Sequence, residues 1–270
     1  MKADFFYKHW FGRAMLKFCA WIRAPRLGAW FLRSPLSKGM IAPFIRRNNV
    51  DMSAFRGQTY HSYAEFFSRD RGENTVCTEP DALISPCDGL VSIYPITDTT
   101  ALPMKGSLYR VADLIPDPET AEKFAGGLCF VFRLEATDYH RFCYFDDCVK
   151  KPTQFVPGHL HSVQPIACQT VPVYRLNRRW WTVLETAHFG EAVQVEIGAM
   201  LVGGVRYAQD AGSAQRGAEM GTFLLAGSTI AVFLKADIRS RLVISPQFLP
   251  ARDGKREVRV RLGEKIGCLK

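Results

Sequence analysis

A chain of 270 residues, 47% of them hydrophobic, is long enough to bury a core as one large domain or two small ones, and too apolar to stay disordered. Its eight cysteines are scattered with no C-x-x-C pair, which disfavours zinc and redox-motif readings and suggests a reducing, cytoplasmic compartment. The formal charge of +9 is concentrated. Residues 1–50 hold ten Lys or Arg against one acid, Asp4, so that segment alone accounts for the charge and residues 51–270 are formally neutral.

Ten aromatic residues fall in the same 50 positions. Uncharged runs there are far shorter than the roughly 20 residues that cross a bilayer, and basic residues interrupt every apolar stretch. Neither a transmembrane helix nor a cleavable signal fits. At helical spacing Phe6, Trp10, Ala14, Phe18 and Trp21 share a face, with Phe11 and Ile22 beside it and Lys17 at its edge, where its stem can snorkel. Aromatics opposite cations describe a helix lying in a membrane interface and drawn to anionic lipid. Two other readings stay open: a basic arm on nucleic acid, which rarely needs three tryptophans, and a helical hairpin packed on its own domain. Pro25, Pro35 and Pro43 divide the region into two or three short helices, and Asn48-Asn49-Val50-Asp51 marks a boundary.

Ser62-Tyr63-Ala64-Glu65 has the spacing of a capping box and predicts a helix that carries Phe66 and Phe67. From Asp81 onward the pattern turns to strands. Leu128-Cys129-Phe130-Val131-Phe132 reads as a buried strand. Residues 193–197 and 258–262 alternate with period two, the second after an Asp253-Gly254 turn, while Gly203-Gly204 and Gly212-Ser213 mark further turns. The expected fold class is α+β: a basic, aromatic-rich helical region over 1–50, then a mostly β domain over 51–270.

The run Phe223–Phe233 reads as a buried strand, for which aliphatic residues suffice, yet Ala226-Gly227-Ser228-Thr229 interrupts it. Glycine permits close approach and dihedrals that a side chain forbids. A serine directly after a strained glycine is where an N-to-O acyl shift can occur, the hydroxyl attacking the preceding carbonyl. The plainer reading is a strand bulge with a hydrogen-bonded Ser-Thr pair.

Six segments surround this step: Glu65-Phe66-Phe67-Ser68-Arg69, Ser85-Pro86-Cys87-Asp88-Gly89, Thr137-Asp138-Tyr139-His140-Arg141-Phe142, Pro157 through Val163, Ile197 through Gly204, and Glu219-Met220-Gly221-Thr222-Phe223. In this order and at these intervals, across about residues 60 to 235, the chain resembles the phosphatidylserine decarboxylases, self-cleaving pyruvoyl enzymes. The resemblance implies that Ser228 attacks the carbonyl of Gly227, that the chain splits into 1–227 and 228–270, and that Ser228 becomes an N-terminal pyruvoyl group. That group is the expected cofactor. It would form a Schiff base with phosphatidylserine and lead to phosphatidylethanolamine. No motif indicates pyridoxal phosphate, nucleotide or metal.

Self-cleavage needs a base for Ser228 oriented by a carboxylate. Asp88 matches the family's aspartate, although Asp-Gly alone is simply a good turn. His140 matches the first histidine of the family's motif, but where the family carries a second histidine this chain has Cys143. Three bases therefore compete: His140, which is favoured and would take both jobs, first cleavage and later protonation of the decarboxylated carbanion; His161, supplied from another strand; and Cys143, whose thiol an apolar site would keep protonated. His159 and His188 read as ordinary polar residues.

The expected partners are an anionic phospholipid membrane, phosphatidylserine and the protein's own two chains after cleavage. A homodimer is admitted and nucleic acid is not. The expected location is peripheral, on the cytoplasmic face of the cell membrane. A pyruvoyl decarboxylase of another serine-headed lipid and a lipid-surface homologue that does not cleave are the alternatives. A soluble amino-acid decarboxylase would not need the cationic aromatic end.

Overall fold

The computed structural model describes residues 24–72, 75–104, 107–159, 161, 172–199, 204–225, 228–252 and 254–270. The predicted helix face over Phe6–Trp21 lies outside the described residues. So do Ala226, Gly227, Gly203 and Asp253.

The described chain begins with three short helical segments: an α-helix Ala24–Arg33, a 3-10 helix Pro35–Met40 and an α-helix Ile41–Asn48. Pro35 starts its helix, as expected of a residue without an N–H. Pro43 does not break the third; it sits in the first turn, where backbone N–H groups have no intrahelical acceptor. Asn49 ends that helix in the left-handed conformation, φ 49°. The capping prediction corresponds to a helix Tyr63–Phe67, where the Ser62 hydroxyl accepts the Glu65 N–H at 3.2 Å.

Seventeen strands follow among the described residues. They are β1 (Ala82–Ile84), β2 (Gly89–Pro95), β3 (Ala101–Met104), β4 (Ser107–Arg110), β5 (Leu128–Leu134), β6 (Arg141–Cys143), β7 (Cys148–Lys150), β8 (Gln154–Val156) and β9 (Arg179–Thr186). Then come β10 (Gly190–Ile197), β11 (Val205–Tyr207), β12 (Gly212–Ala214), β13 (Glu219–Phe223), β14 (Ser228–Leu234), β15 (Leu242–Ile244), β16 (Val258–Val260) and β17 (Lys265–Leu269). The protein is mostly β with short helices, so α+β is the right class. Gly212-Ser213, expected as a turn, instead opens β12, paired with β7.

A nine-stranded antiparallel sheet in the order β12-β7-β9-β10-β14-β5-β2-β16, with β8 beside β9, forms the frame. Both its faces are covered. One packs Phe130, Phe132, Ile230 and Val232 against the three-stranded sheets β1-β17-β15 and β11-β13-β6. The other packs Val131, Val193, Val195, Ala231 and Phe233 against Tyr109, Leu114, Phe124 and Tyr174. Burial on both faces explains why β5 and β14 read as unbroken apolar runs.

Candidate active site

The residues singled out by the sequence lie along one end of this frame. Ser228 opens β14 opposite Leu134 of β5, and the next register, Leu90 opposite Arg133, carries the line to Gly89 at the head of β2. Gly89 has φ +151°, and a Cβ there would meet the Arg133 carbonyl oxygen at 2.7 Å, so only glycine fits. Its tight entry delivers Asp88 two strands from Ser228, roughly 10 Å at strand spacing. On the other flank Ile197 pairs with Thr229, which sets Gly198 beside Ser228.

Ser228 is fully buried, and its Oγ has no hydrogen-bond partner among the described residues; the same holds for Oγ1 of Thr229. Side chains alternate along β14, so Ser228 faces the side of Ile230, and Thr229 the opposite side. A buried hydroxyl without a partner forfeits its hydration with nothing in return. Such a group is suited to react.

His140 lies six residues beyond Leu134, the strand partner of Ser228. Its carbonyl accepts the N–H of Phe223, five residues before Ser228. The chain thus ties His140 to both flanks of the Gly227-Ser228 step. Its ring is fully buried, stacked on Phe67 at 3.8 Å between centroids. Nδ1 lies 2.9 Å from the Asp138 carbonyl oxygen, an obligate acceptor, which assigns the proton to Nδ1 and leaves the lone pair on Nε2. Nε2 has no partner among the described residues. Burial first, and the Arg69 cation second, lower its pKa to about 3, so the ring is neutral at physiological pH.

The supporting residues were not assigned from sequence. Arg69 donates Nη2 to the carbonyls of Thr137 and Asp138 at 3.1 and 3.2 Å, fixing the turn that presents His140. Its guanidinium sits 4.9 Å from the ring centres of both Phe55 and Phe66. Arg141 donates Nε to the Ser68 and Arg69 carbonyls and Nη1 to Glu219 at 2.7 Å, joining the helix end, β6 and β13. The Glu65–Arg69 and Glu219–Phe223 segments were visible as motifs, but nothing in them names these partners, which lie 68 to 78 residues apart.

Asp88 accepts the Leu262 N–H on Oδ1 at 2.8 Å, and its Oδ2 is 3.5 Å from Arg71 Nη1. Among the described residues it makes no hydrogen bond to His140. Cys143 lies close by: its N–H donates to the Pro86 carbonyl at 2.8 Å and its thiol is 3.9 Å from the Ser85 carbonyl oxygen. Burial pushes that thiol up to about 12, so it stays protonated. His161 is half-buried, with a pKa lowered by desolvation and by His159, whose ring is 5.7 Å away. The Asn177 side chain accepts the His161 N–H and donates to the carbonyls of His161 and Gly198. One Asn177 nitrogen thus joins the His161 carbonyl to that of Gly198, the residue beside Ser228, so a single side chain separates the His161 backbone from the neighbouring strand. His188 is held by the buried carboxylate of Asp146, Nδ1 to Oδ1 2.8 Å, and pins a hairpin.

Taken together, a neutral imidazole and a buried hydroxyl, neither with a partner among the described residues, lie at one end of the sheet. A neutral imidazole is the kind of group that takes a hydroxyl proton. The two atoms do not hydrogen-bond to each other in this structure, so the transfer requires them to approach, and Phe67 covers the ring.

The family model for phosphatidylserine decarboxylase matches residues 63–268. The chain is 34% identical over 266 residues to a protein of Clostridium acetobutylicum named phosphatidylserine decarboxylase proenzyme 2, covering 97% of this chain and 90% of that one. It is 33% identical over 245 residues to the phosphatidylserine decarboxylase proenzyme of Desulfitobacterium hafniense strain Y51, covering 88% and 81% of the two chains. With the proenzyme of the same name from Clostridium kluyveri, the identity is 33% over 249 residues, covering 90% and 83%.

Proposed function

The chain belongs to the phosphatidylserine decarboxylase family, and from that premise we propose that it is a proenzyme which cuts itself between Gly227 and Ser228 and then decarboxylates phosphatidylserine to phosphatidylethanolamine. The observation that carries the reading is the pair of buried atoms, Ser228 Oγ and His140 Nε2, that have no partner among the described residues. His140 Nε2 takes the hydroxyl proton, Oγ attacks the Gly227 carbonyl carbon, and the proton passes to the departing amide nitrogen as the C–N bond breaks. The ester so formed loses the Ser228 α-proton and its Cβ–O bond, which leaves a carboxylate on Gly227. Water then replaces the amine at residue 228 and ammonia departs.

The pyruvoyl carbonyl that results supplies the electron sink for loss of carbon dioxide. The residues present fit that group. Position 228 is fully buried, no described residue bonds its side chain, and the β14 ladder to Leu134 holds its backbone in place. Asp88 helps through charge. It lies within electrostatic reach of Cys143, Asp138 and Arg69. Asp88→Asn is expected to slow cleavage about tenfold or more while the fold persists, because the amide oxygen still accepts from Leu262 but carries no charge. A time course on a denaturing gel reads this, and a wild-type rate of cleavage would remove Asp88 from the machinery.

The helical region is proposed to rest on an anionic membrane at the cytoplasmic face. Leu27, Trp30 and Leu36 are 66, 68 and 76% exposed, and the same helical segments also expose Arg33, Lys38, Arg46 and Arg47. Among the described residues no helix is long and apolar enough to cross a bilayer. This surface is coupled to the site. Ser37 Oγ accepts the Tyr63 N–H at 2.9 Å, Phe44 packs edge-on against Tyr63 and Phe66, and Phe67 stacks on His140. Replacing Trp30 and Leu36 together by Ala is expected to weaken binding to anionic vesicles by about tenfold or more, with salt weakening the wild type only in part. Undiminished binding in a flotation assay would return the region to internal packing.

A further inference from the structure

β10 alternates as an exposed strand would, yet Gln194 and Glu196 are both fully buried on the face that packs against β11-β13-β6. Glu196 lies directly opposite Ile230 across the β10–β14 ladder. Ser228, two residues before Ile230, is therefore its diagonal neighbour on the same face, with Cβ atoms on the order of 7 Å apart.

The carboxyl heads a chain of polar groups through an otherwise apolar layer. Its Oε1 accepts from Gln194 Nε2 at 2.8 Å, and its Oε2 from the Tyr207 hydroxyl at 2.6 Å. Tyr207 adjoins Thr153 and Thr182, whose hydroxyls are 2.8 Å apart. Lys150, 1% exposed, donates Nζ to Thr153 Oγ1 at 2.9 Å and to the carbonyl of Asp210, a residue at the surface. Packing alone asks for none of this, since apolar residues of similar shape would fill the layer at lower cost.

Resting on the decarboxylase reading, we propose that Glu196 is the group that supplies the proton consumed in decarboxylation at residue 228, and that Tyr207, Thr182, Thr153 and Lys150 resupply it from solvent. Replacing a carboxylate by hydrogen breaks one C–C bond, and its electron pair ends in a new C–H bond. One proton is consumed for each carbon dioxide released. That proton must reach a position where Ser228 and His140 are both fully buried. His140 is poorly placed to provide it: its one proton is on Nδ1, engaged by Asp138, and Nε2 is bare.

Glu196 has the complementary character. Burial pushes its pKa up to about 7, against the opposing pull of Tyr207, Gln194 and Lys150. It therefore holds a proton near neutral pH, and after giving it up the carboxylate is received by the same two hydrogen-bond donors. The groups facing it are Gln194 on its own strand, Tyr207 from β11, Lys150 from β7 and Tyr144 after β6. Burial raises both tyrosines and lowers Lys150. A base and an acid separated by their surroundings are the usual signature of divided proton work.

The test begins on full-length Ser228→Ala protein, which needs no turnover. Difference infrared spectroscopy is expected to show a protonated-carboxyl band that titrates near neutral pH and vanishes when Glu196→Gln is added. In the otherwise native chain, Glu196→Gln is expected to mature to two fragments yet lose about 10²- to 10⁴-fold in kcat with little change in KM. Tyr207→Phe is expected to lose less and to show a larger solvent deuterium isotope effect. Turnover of Glu196→Gln within about twofold of wild type, or absence of the titrating band, overturns the proposal. Should Glu196→Gln fail to fold, an unchanged rate and isotope effect in Tyr207→Phe overturns it instead. An uncut, inactive wild type removes the reading on which the proposal rests, and the infrared titration separates that failure from a failure of Glu196.

Discussion

Purified wild-type protein is expected to run as two chains, residues 1–227 and 228–270, while Ser228→Ala runs as one and releases no carbon dioxide from phosphatidylserine. The effect is all or none, because the hydroxyl oxygen is both the attacking group and, once in the ester, the leaving group whose elimination opens the way for water to form the carbonyl on which decarboxylation depends. Ala at 228 keeps the β14–β5 and β14–β10 ladders and removes only an oxygen that binds nothing among the described residues. The uncut chain should therefore fold as stably as the native one, or slightly more so. Intact mass should show that the smaller fragment begins without a free amine, and borohydride should abolish turnover by reducing its ketone. A wild type that stays full length and yet turns over would end the pyruvoyl mechanism; one that stays full length and is inert would make this chain a lipid-surface homologue that does not cleave.

His140→Ala should slow self-cleavage by about 10²- to 10⁴-fold, the usual worth of a positioned general base. His161→Ala should stay within a few-fold of wild type, since the Asn177 side chain and β10 lie between its backbone and Ser228. Cys143→Ala should likewise matter less, because the thiol is protonated at the pH of the reaction. A denaturing gel sampled over time reads all three, and an uncut His161→Ala would transfer the base to that strand. His140 also predicts a pH dependence of stability. Its pKa falls from 6.5 in the unfolded chain to about 3 in the folded one. Between those values the unfolded chain binds a proton that the folded chain refuses, so stability falls as pH drops from about 6.5 towards 3 and is unaffected above that window. Denaturant midpoints measured at about pH 7 and pH 5 should draw closer together in His140→Ala. An unchanged gap would show that the ring is not buried neutral.

The local pattern of the chain determined the elements whose cause is local. Period-two and apolar runs located β5, β10 and β14, the Ser62–Glu65 spacing placed the helix carrying Phe66 and Phe67, and the ordered motifs around Ser228 pointed to the family. Only the tertiary structure decided what each polar side chain does. The strand expected over 258–262 stops at Val260 because the N–H of Leu262 is taken by Asp88, 174 residues away. His140 is a neutral base because burial against Phe67 and the Arg69 cation, both brought from about 70 residues upstream, oppose its protonation. The alternation in β10 normally announces one wet face. Here that face is closed by β11 and β13, so Gln194 and Glu196 become buried groups whose proton affinity is set by their surroundings. Periodicity is a property of neighbours in the chain, whereas burial, charge and hydrogen-bond partnership depend on contacts across it, and those form only when the sheets close.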